Sequence, residues 1–327
     1  MARAVANIVE ATPWAEHHLL WSGPEEPPGV FAGRAARLGN GPVRAALQVR
    51  RAARAANPDV VHLHSSLAGA VGRIALWGTA RVVVYQPHGY AHEDETRGVA
   101  ARHVYRMAER ILARVGRDRQ VCAVVGRAEA DAAARLGNRS VVVVPNVPTV
   151  PIRTNPRSEL EDRTTGRRIV MIGRIAPQKD PQFFASVARA TRCLVGSGST
   201  LEFVWVGDGE PRHREVLAHA GVRVTGWLKP DGVRRELDAA SVYFHCAAFE
   251  GYPIAVLDAR ARRVPVVVRD IRCFAWETMT KVHSVDEAAQ AIARALAEPE
   301  TVVGGGGHVP TRVELDEALR RAYGRDA

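Results

Sequence analysis

Short β-branched runs recur along this chain with helix-forming stretches between them, and the alternation restarts once after a polar, proline-bearing interruption. Before the interruption the runs are Asp59–Leu63, Arg81–Tyr85, Gln120–Val125 and Ser140–Val144. After it they are Arg168–Ile172, Leu201–Val206, Val222–Thr225, Ser241–Cys246 and Val264–Val268. Pro42–Ala56, Leu67–Trp77, Val99–Arg114 and Arg127–Leu136 carry helical periodicity, as do Ala288–Ala297 and Val313–Tyr323. Strands joined by helices at this spacing run parallel, because the crossover returns each strand to the same end of the sheet. The pattern therefore predicts an α/β protein with two doubly wound parallel sheets. The interruption, 149–166, contains two prolines and no apolar period, and reads as a linker or hinge. It divides the chain into a domain over 1–148 and a second over 167–302. Gly304–Gly307 predicts a flexible joint before a last helix within 308–327.

Composition narrows the function class. The 327 residues suffice for two ordinary cores, and 46% are hydrophobic without a long apolar run. No signal peptide or transmembrane helix is predicted, and the reading is a cytoplasmic protein. Cys122, Cys193, Cys246 and Cys273 are scattered, which fits reduced structural thiols. The net charge of +10 suggests acidic partners, but only three basic residues are lysines: Lys179, Lys229 and Lys281. Arginine is the default cation here, so a lysine at a motif position is informative. Arg97, Arg102, Arg106, Arg110 and Arg114 form a loose stripe on one predicted helix. That stripe reads as a solvated face or as a dock for the anionic inner face of the plasma membrane. Few aromatics interleave with the charge, and no nucleic-acid module is present.

The stretch Phe249–Asp258 predicts strand, glycine turn, helix. Gly251 permits close backbone approach, Pro253 suits the first turn of a helix, and the free N–H groups of that helix point into the same space. Glu250 stands at the mouth of that anion site, and Asp258 lies two turns further on. Ile172–Asp180 follows the first strand of the second domain and holds Gly173, Arg174 and Lys179. Arginine can bridge two phosphate oxygens, and lysine acts as a point charge. Val206–Glu210 is a further glycine turn at a strand end, read equally as a simple left-handed turn. In the first domain Pro87-His88-Gly89 also follows a strand, where α/β sheets bind ligands. His88 and His92 with Glu93 and Asp94 are metal-ligand residue types, but no second cluster supports a site and no metal is expected. His62 and His64 share one face of a strand, which suggests packing. Val144-Pro145-Asn146 reads as structural.

Glu250 and Asp258, at their spacing, resemble the acidic pair of the family 4 retaining GT-B glycosyltransferases. The Gly-Arg…Lys and Pro-His-Gly segments resemble that family too. The resemblance runs from about residue 2 to 270 and implies the GT-B architecture, in which two Rossmann-like domains face a cleft. It implies a nucleoside-diphosphate sugar as donor substrate, a glycan, lipid-linked or small-molecule acceptor, and no cofactor. By the same resemblance Arg174, Lys179, Gly173, Gly251, Tyr252, Pro253 and Ile254 hold the diphosphate, and Asp258 holds the ribose. Gly226, Trp227 and Leu228 hold the base. Glu250 contacts the transferred sugar, and His88 faces it from the acceptor-side domain. The final helix is expected to cross back onto the first domain.

Two departures qualify the match. Asp258 stands where the family has Glu. Residues 2–21 resemble the family's first helix and second strand, with the first strand and its Gly-rich loop missing; this would leave two strand edges unpaired. The natural protein is therefore expected to start upstream, or another segment to fill the gap. An isomerase resembling the UDP-sugar 2-epimerases, and a non-catalytic nucleotide-sugar-binding protein, are the alternatives.

Overall fold

The computed structural model describes residues 2–23, 26–79, 81–94, 96–114, 119–153, 167–196, 201–298 and 307–325. Most of the expected linker, 154–166, and most of the expected glycine joint, 304–306, lie outside the described residues. The chain divides into two compact units, 1–147 with 310–327, and 148–309.

The first unit opens with helix α1 (Ala2–Ala11) and strand β1 (Leu19–Trp21). Then follow β2 (Ala35–Arg37), α2 (Pro42–Ala56), β3 (Val60–His64), α3 (Ser66–Ala75) and β4 (Val82–Gln86). It continues through α4 (Val99–Leu112), β5 (Gln120–Val124), α5 (Arg127–Leu136) and β6 (Val141–Val143). Strands β3 to β6 pair in parallel in sequence order, and β1 and β2 form a separate parallel pair. Among the described residues nothing pairs with the outer edge of β3, so it ends the larger sheet. Residues 2–11 are helical, consistent with Val5, Ile8 and Val9 at helical spacing. The short β2 had no sequence signal, since three residues between glycine-rich turns carry no period.

Helices cover both faces of this sheet. On one, Val49 and Ala53 of α2, Ala75 of α3 and Ala132, Ala133 and Leu136 of α5 bury Leu63, Tyr85, Cys122 and Val124. On the other, α1 contributes Ile8 and Ala11. Helix α11 (Arg312–Ala322), the last element of the chain, adds Leu315, Ala318, Leu319 and Ala322 to the same cluster over Val84 and Ala123. Its start is fixed by a capping box: the Thr311 hydroxyl accepts from the Glu314 amide while the Glu314 carboxylate accepts from the Thr311 amide. The Trp14 indole donates to Asp316 at 2.6 Å and ties the two covering helices together. Buried Arg73 of α3 donates to Glu109 of α4 at 2.7 Å and lies 3.9 Å from the Tyr85 ring, whose hydroxyl also donates to Glu109. A charge pair this dry persists because further bonds support it: Arg73 Nε donates to the Gly69 carbonyl, and the Tyr85 hydroxyl takes the second Glu109 oxygen.

The second unit contains β7 (Arg167–Ile172), α6 (Pro181–Val195), β8 (Leu201–Val206), α7 (Pro211–His219), β9 (Val222–Val224) and α8 (Pro230–Asp238). After these come β10 (Val242–His245), α9 (Ile254–Ala261), β11 (Val266–Arg269), β12 (Thr280–Val282) and α10 (Val285–Ala297). Its six-stranded sheet has the order β12-β11-β10-β7-β8-β9, all parallel. Connections run outward from β7 in both directions, so the order reverses between β7 and β10. That reversal is the place where open α/β sheets bind ligands, at the carboxyl ends of the strands. The core is continuous and apolar: Ile169, Met171, Phe184, Phe203, Trp205, Tyr243 and Phe244 are fully enclosed. Runs buried on both faces explain why these strands read as unbroken hydrophobic stretches.

Candidate functional site

The loop after β7 begins at Gly173, whose carbonyl accepts from the Trp205 indole at 2.8 Å. A Cβ at Gly173 would meet the Lys179 stem at 3.0 Å, so glycine leaves the lane along which that side chain runs. Asp180 then takes a left-handed conformation and caps α6, its carboxylate accepting from the Phe183 amide at 3.0 Å. Arg269 of β11 donates to the same carboxylate at 2.6 Å. These ties hold the short turn Pro177–Lys179 in place.

The loop after β10 is fastened to that turn. The Ala248 amide donates to the Gln178 carbonyl at 2.9 Å, the Gln178 side chain donates to the Phe249 carbonyl at 2.9 Å, and the Cys246 thiol donates to the Lys179 carbonyl. Glu250 therefore arrives beside Lys179, and the ammonium donates to its carboxylate. Burial by itself would raise the Glu250 pKa, but the Lys179 charge and the His245 imidazole outweigh it and bring the carboxyl down to about 2. Past Gly251 the chain turns through Tyr252 and Pro253 into α9, whose first-turn amides open at this point. The Tyr252 hydroxyl accepts from Arg260 at 3.0 Å, which sets that ring.

The third and fourth loops close the same end of the sheet. Gly207 and Gly209 are obligatory by contact: a Cβ would come within 2.1 Å of the Gly173 carbonyl oxygen and 2.0 Å of the Ile175 carbonyl oxygen. The Val206–Glu210 turn thus packs against the Gly173 loop. Gly207 also bridges Gly226, which sits at φ +73°, followed by Trp227, 60% exposed, and half-buried Leu228. Arg174 is exposed on the first loop. The second unit thus collects Gly173, Arg174, Lys179, Glu250, the start of α9 and the Gly226–Leu228 segment at one sheet end.

Asp258 departs from this group. It is fully buried, and its carboxylate accepts from the Thr149 amide at 2.5 Å, the Thr149 hydroxyl at 3.0 Å and the Val150 amide at 3.3 Å. A ribose contact requires an accessible carboxylate. The side chain, one methylene shorter than glutamate, is here bonded to the segment that enters the second unit.

In the first unit His88 ends the loop after β4 in a left-handed conformation, φ +54°, followed by Gly89 at φ +99°. Its Nε2 lies 2.9 Å from Nδ1 of His64, and the rings of His64 and His62 lie 4.0 Å apart, tilted by 32°, on one face of β3. His62 Nδ1 in turn lies 2.9 Å from the Tyr323 hydroxyl. Burial first, then neighbouring imidazoles, lowers the pKa values of His62 and His88, so the row is neutral near pH 7. The Gly89 amide donates to buried Glu129 at 2.7 Å, as does Val125 at 2.8 Å. Burial raises that carboxyl to about 7 against the pull of the two amides. Sequence reasoning missed Glu129, Gln178 and His245: Gln178 lies within Ile172–Asp180, but what each of the three reaches, Gly89 for Glu129, Phe249 for Gln178 and Glu250 for His245, is set by packing and leaves no signal in its own segment.

Two family profiles match the chain: "Glycosyl transferase 4-like domain" over residues 2–147 and "Glycosyl transferases group 1" over residues 166–298. A UDP-Gal:α-D-GlcNAc-diphosphoundecaprenol α-1,3-galactosyltransferase of Escherichia coli is 27% identical over 244 residues, 65% of this chain and 58% of that protein. A phosphatidyl-myo-inositol mannosyltransferase of Propionibacterium freudenreichii is 28% identical over 308 residues, 90% of this chain and 74% of that one. Among solved structures, sucrose-phosphate synthase of Thermosynechococcus elongatus superposes with a TM-score of 0.72 at 16% identity, covering 98% of this chain and 88% of that one. A putative UDP-N-acetylglucosamine 2-epimerase of Listeria monocytogenes gives 0.68 at 15% identity, over 98% and 91%. Those likenesses show a shared GT-B fold, and the fold by itself does not separate transferase from epimerase. The two profiles, end to end over nearly all of the chain, do: it belongs to the group 1, family 4-like glycosyltransferases.

Proposed function

We propose that this glycosyltransferase uses a nucleoside-diphosphate sugar and transfers the sugar with retention of configuration. The observation that carries the reading is the meeting of Lys179, Glu250 and the start of α9 at the strand-order reversal. Departure of a nucleoside diphosphate concentrates negative charge on its β-phosphate, and fixed positive charge there lowers the barrier. Lys179 and Arg174 supply the charge, Gly173 gives the room, and the Gly251–Ile254 backbone supplies amides. Gly226, Trp227 and Leu228 face the base. Glu250, kept ionised by Lys179, stabilises the cationic sugar carbon as the bond to phosphate breaks. With no side-chain nucleophile in that role, the leaving phosphate takes the acceptor's proton on the face it departs from. His88 serves the acceptor. The names of both relatives include lipid-borne acceptors, which favours a lipid-linked acceptor here.

A thermal-shift panel of UDP, GDP and dTDP tests the donor half. One nucleotide at a hundredfold excess over its Kd is expected to stabilise the protein by about 2.7 kcal/mol, with the shift lost in Arg174→Ala. No shift with any of the three would overturn the reading. Incubation with UDP-galactose and no acceptor separates the rival: slow hydrolysis supports a transferase, an epimerised sugar the isomerase.

Peripheral membrane attachment belongs to the same reading. Helix α4 turns Glu109 and Leu112 inward, while Val104, Met107 and Ile111 point the opposite way and are 68%, 52% and 57% exposed. Arg106, Arg110 and Arg114 are exposed along that helix. An apolar stripe beside arginines suits the surface of an anionic bilayer. Co-sedimentation with phosphatidylglycerol vesicles is expected to fall in Met107→Glu and to weaken with salt; equal recovery of wild type and variant would argue against it. Among the described residues no helix is long and apolar enough to cross a membrane.

A further inference from the structure

We infer that His245 is a positioning residue for Glu250, holding the carboxylate from the interior through a donated Nε2–H while the Tyr243 hydroxyl fixes the imidazole tautomer. The inference rests on the donor reading above for its consequence in turnover, but its geometry stands independently. His245 is the last residue of β10 and is wholly enclosed. Its Nδ1 lies 3.0 Å from the Tyr243 hydroxyl, two residues back on the same face of the strand. Its Nε2 is buried, has no hydrogen-bond partner within normal reach, and lies 3.6 Å from Oε1 of Glu250.

The protonation pattern follows from these contacts. Burial holds the Tyr243 phenol far above its ordinary pKa, so its oxygen keeps the proton and can donate it to Nδ1. An imidazole that accepts at Nδ1 carries its hydrogen on Nε2, the nitrogen aimed at the carboxylate. Burial lowers the His245 pKa, the Glu250 carboxylate opposes it and the Lys179 charge adds to it; the net direction is down, so the ring is a neutral donor at pH 7. The Phe274 ring stands edge-on at 5.9 Å, the Lys179 ammonium donates to Glu250 itself, and the other acceptor near the Tyr243 hydroxyl is the Met171 sulfur at 3.8 Å, a weak one beside an imidazole nitrogen at 3.0 Å. The carboxylate is consequently held between a cation on one side and a neutral donor on the other. Besides Lys179 on Oε1, only the Gln178 amide reaches the carboxylate, at a long 3.5 Å on Oε2, and both approach from the same turn. With His245 behind it, one orientation is fixed, and a buried imidazole nitrogen gains the partner it otherwise lacks.

Nitrogen-15 long-range NMR of the wild-type protein tests the tautomer without a variant or a substrate. The expected signature is a neutral Nε2–H ring at pH 7, losing its tautomer preference in Tyr243→Phe; a predominant Nδ1–H ring would overturn the inference. Turnover of UDP-galactose tests the consequence. His245→Met is expected to lose roughly tenfold in kcat, the scale of one charge-assisted hydrogen bond, with UDP affinity unchanged. His245→Gln, whose amide nitrogen replaces the Nε2 donor, should recover most of that loss. Equal losses in the two variants would mean that His245 only fills space. Failure of wild-type protein to bind UDP would overturn the donor reading instead, leaving the tautomer result to judge the positioning role by itself.

Discussion

Lys179→Met is expected to lower kcat/KM for the sugar donor by roughly 10²–10³-fold, the scale of removing one preorganised charge-stabilising group. The same substitution is expected to alter stability in a pH-dependent way. Glu250 is held from an ordinary 4.5 to about 2, chiefly because the Lys179 charge outweighs the cost of burial. A depressed carboxyl stabilises the fold above its unfolded pKa, and that contribution is lost as pH falls through the folded value. The pair therefore contributes on the order of 3 kcal/mol at pH 7, declining below about pH 4.5 and gone near pH 2. Urea unfolding at pH 7, 5 and 3.5 measures this. The gap between wild type and Lys179→Met should be widest at pH 7 and 5 and narrower at 3.5. A gap that ignores pH would show that Lys179 does not hold the Glu250 charge.

The second large effect concerns Asp258. Removing its carboxylate leaves the amides of Thr149 and Val150 and the Thr149 hydroxyl without their acceptor in a buried place. Asp258→Ala is expected to destabilise the protein by about 3 kcal/mol, since each stranded donor costs roughly 1–3 kcal/mol and the costs overlap. Asp258→Glu restores the residue type that the family carries but inserts a methylene into enclosed space. It is expected to cost about 1–3 kcal/mol and to leave UDP affinity within roughly threefold of wild type. A large gain in UDP affinity with Glu would return Asp258 to the ribose. Denaturant unfolding and calorimetry with UDP on the same two variants separate these outcomes.

What could be read from residues alone was whatever repeats or clusters locally. Alternating apolar runs and helical periods specified two parallel α/β sheets, because side-chain period and crossover length are properties of neighbouring residues. The rarity of lysine drew attention to Lys179, and the glycine turn before Ile254 drew attention to Glu250. Short edge strands such as Ala35–Arg37 and Thr280–Val282 escaped notice, for three residues hold too little pattern to stand out.

Tertiary structure decided the matters that depend on distance. The chain gives no hint that Gly207 must clear the carbonyl of Gly173, or that Glu129 accepts from Gly89 forty positions away. Asp258 shows the difference most clearly. By spacing it pairs with Glu250 as a second acid of the site, yet its oxygens belong to Thr149 and Val150. Periodicity records which face of an element is buried; only packing records which polar group that burial obliges a side chain to satisfy.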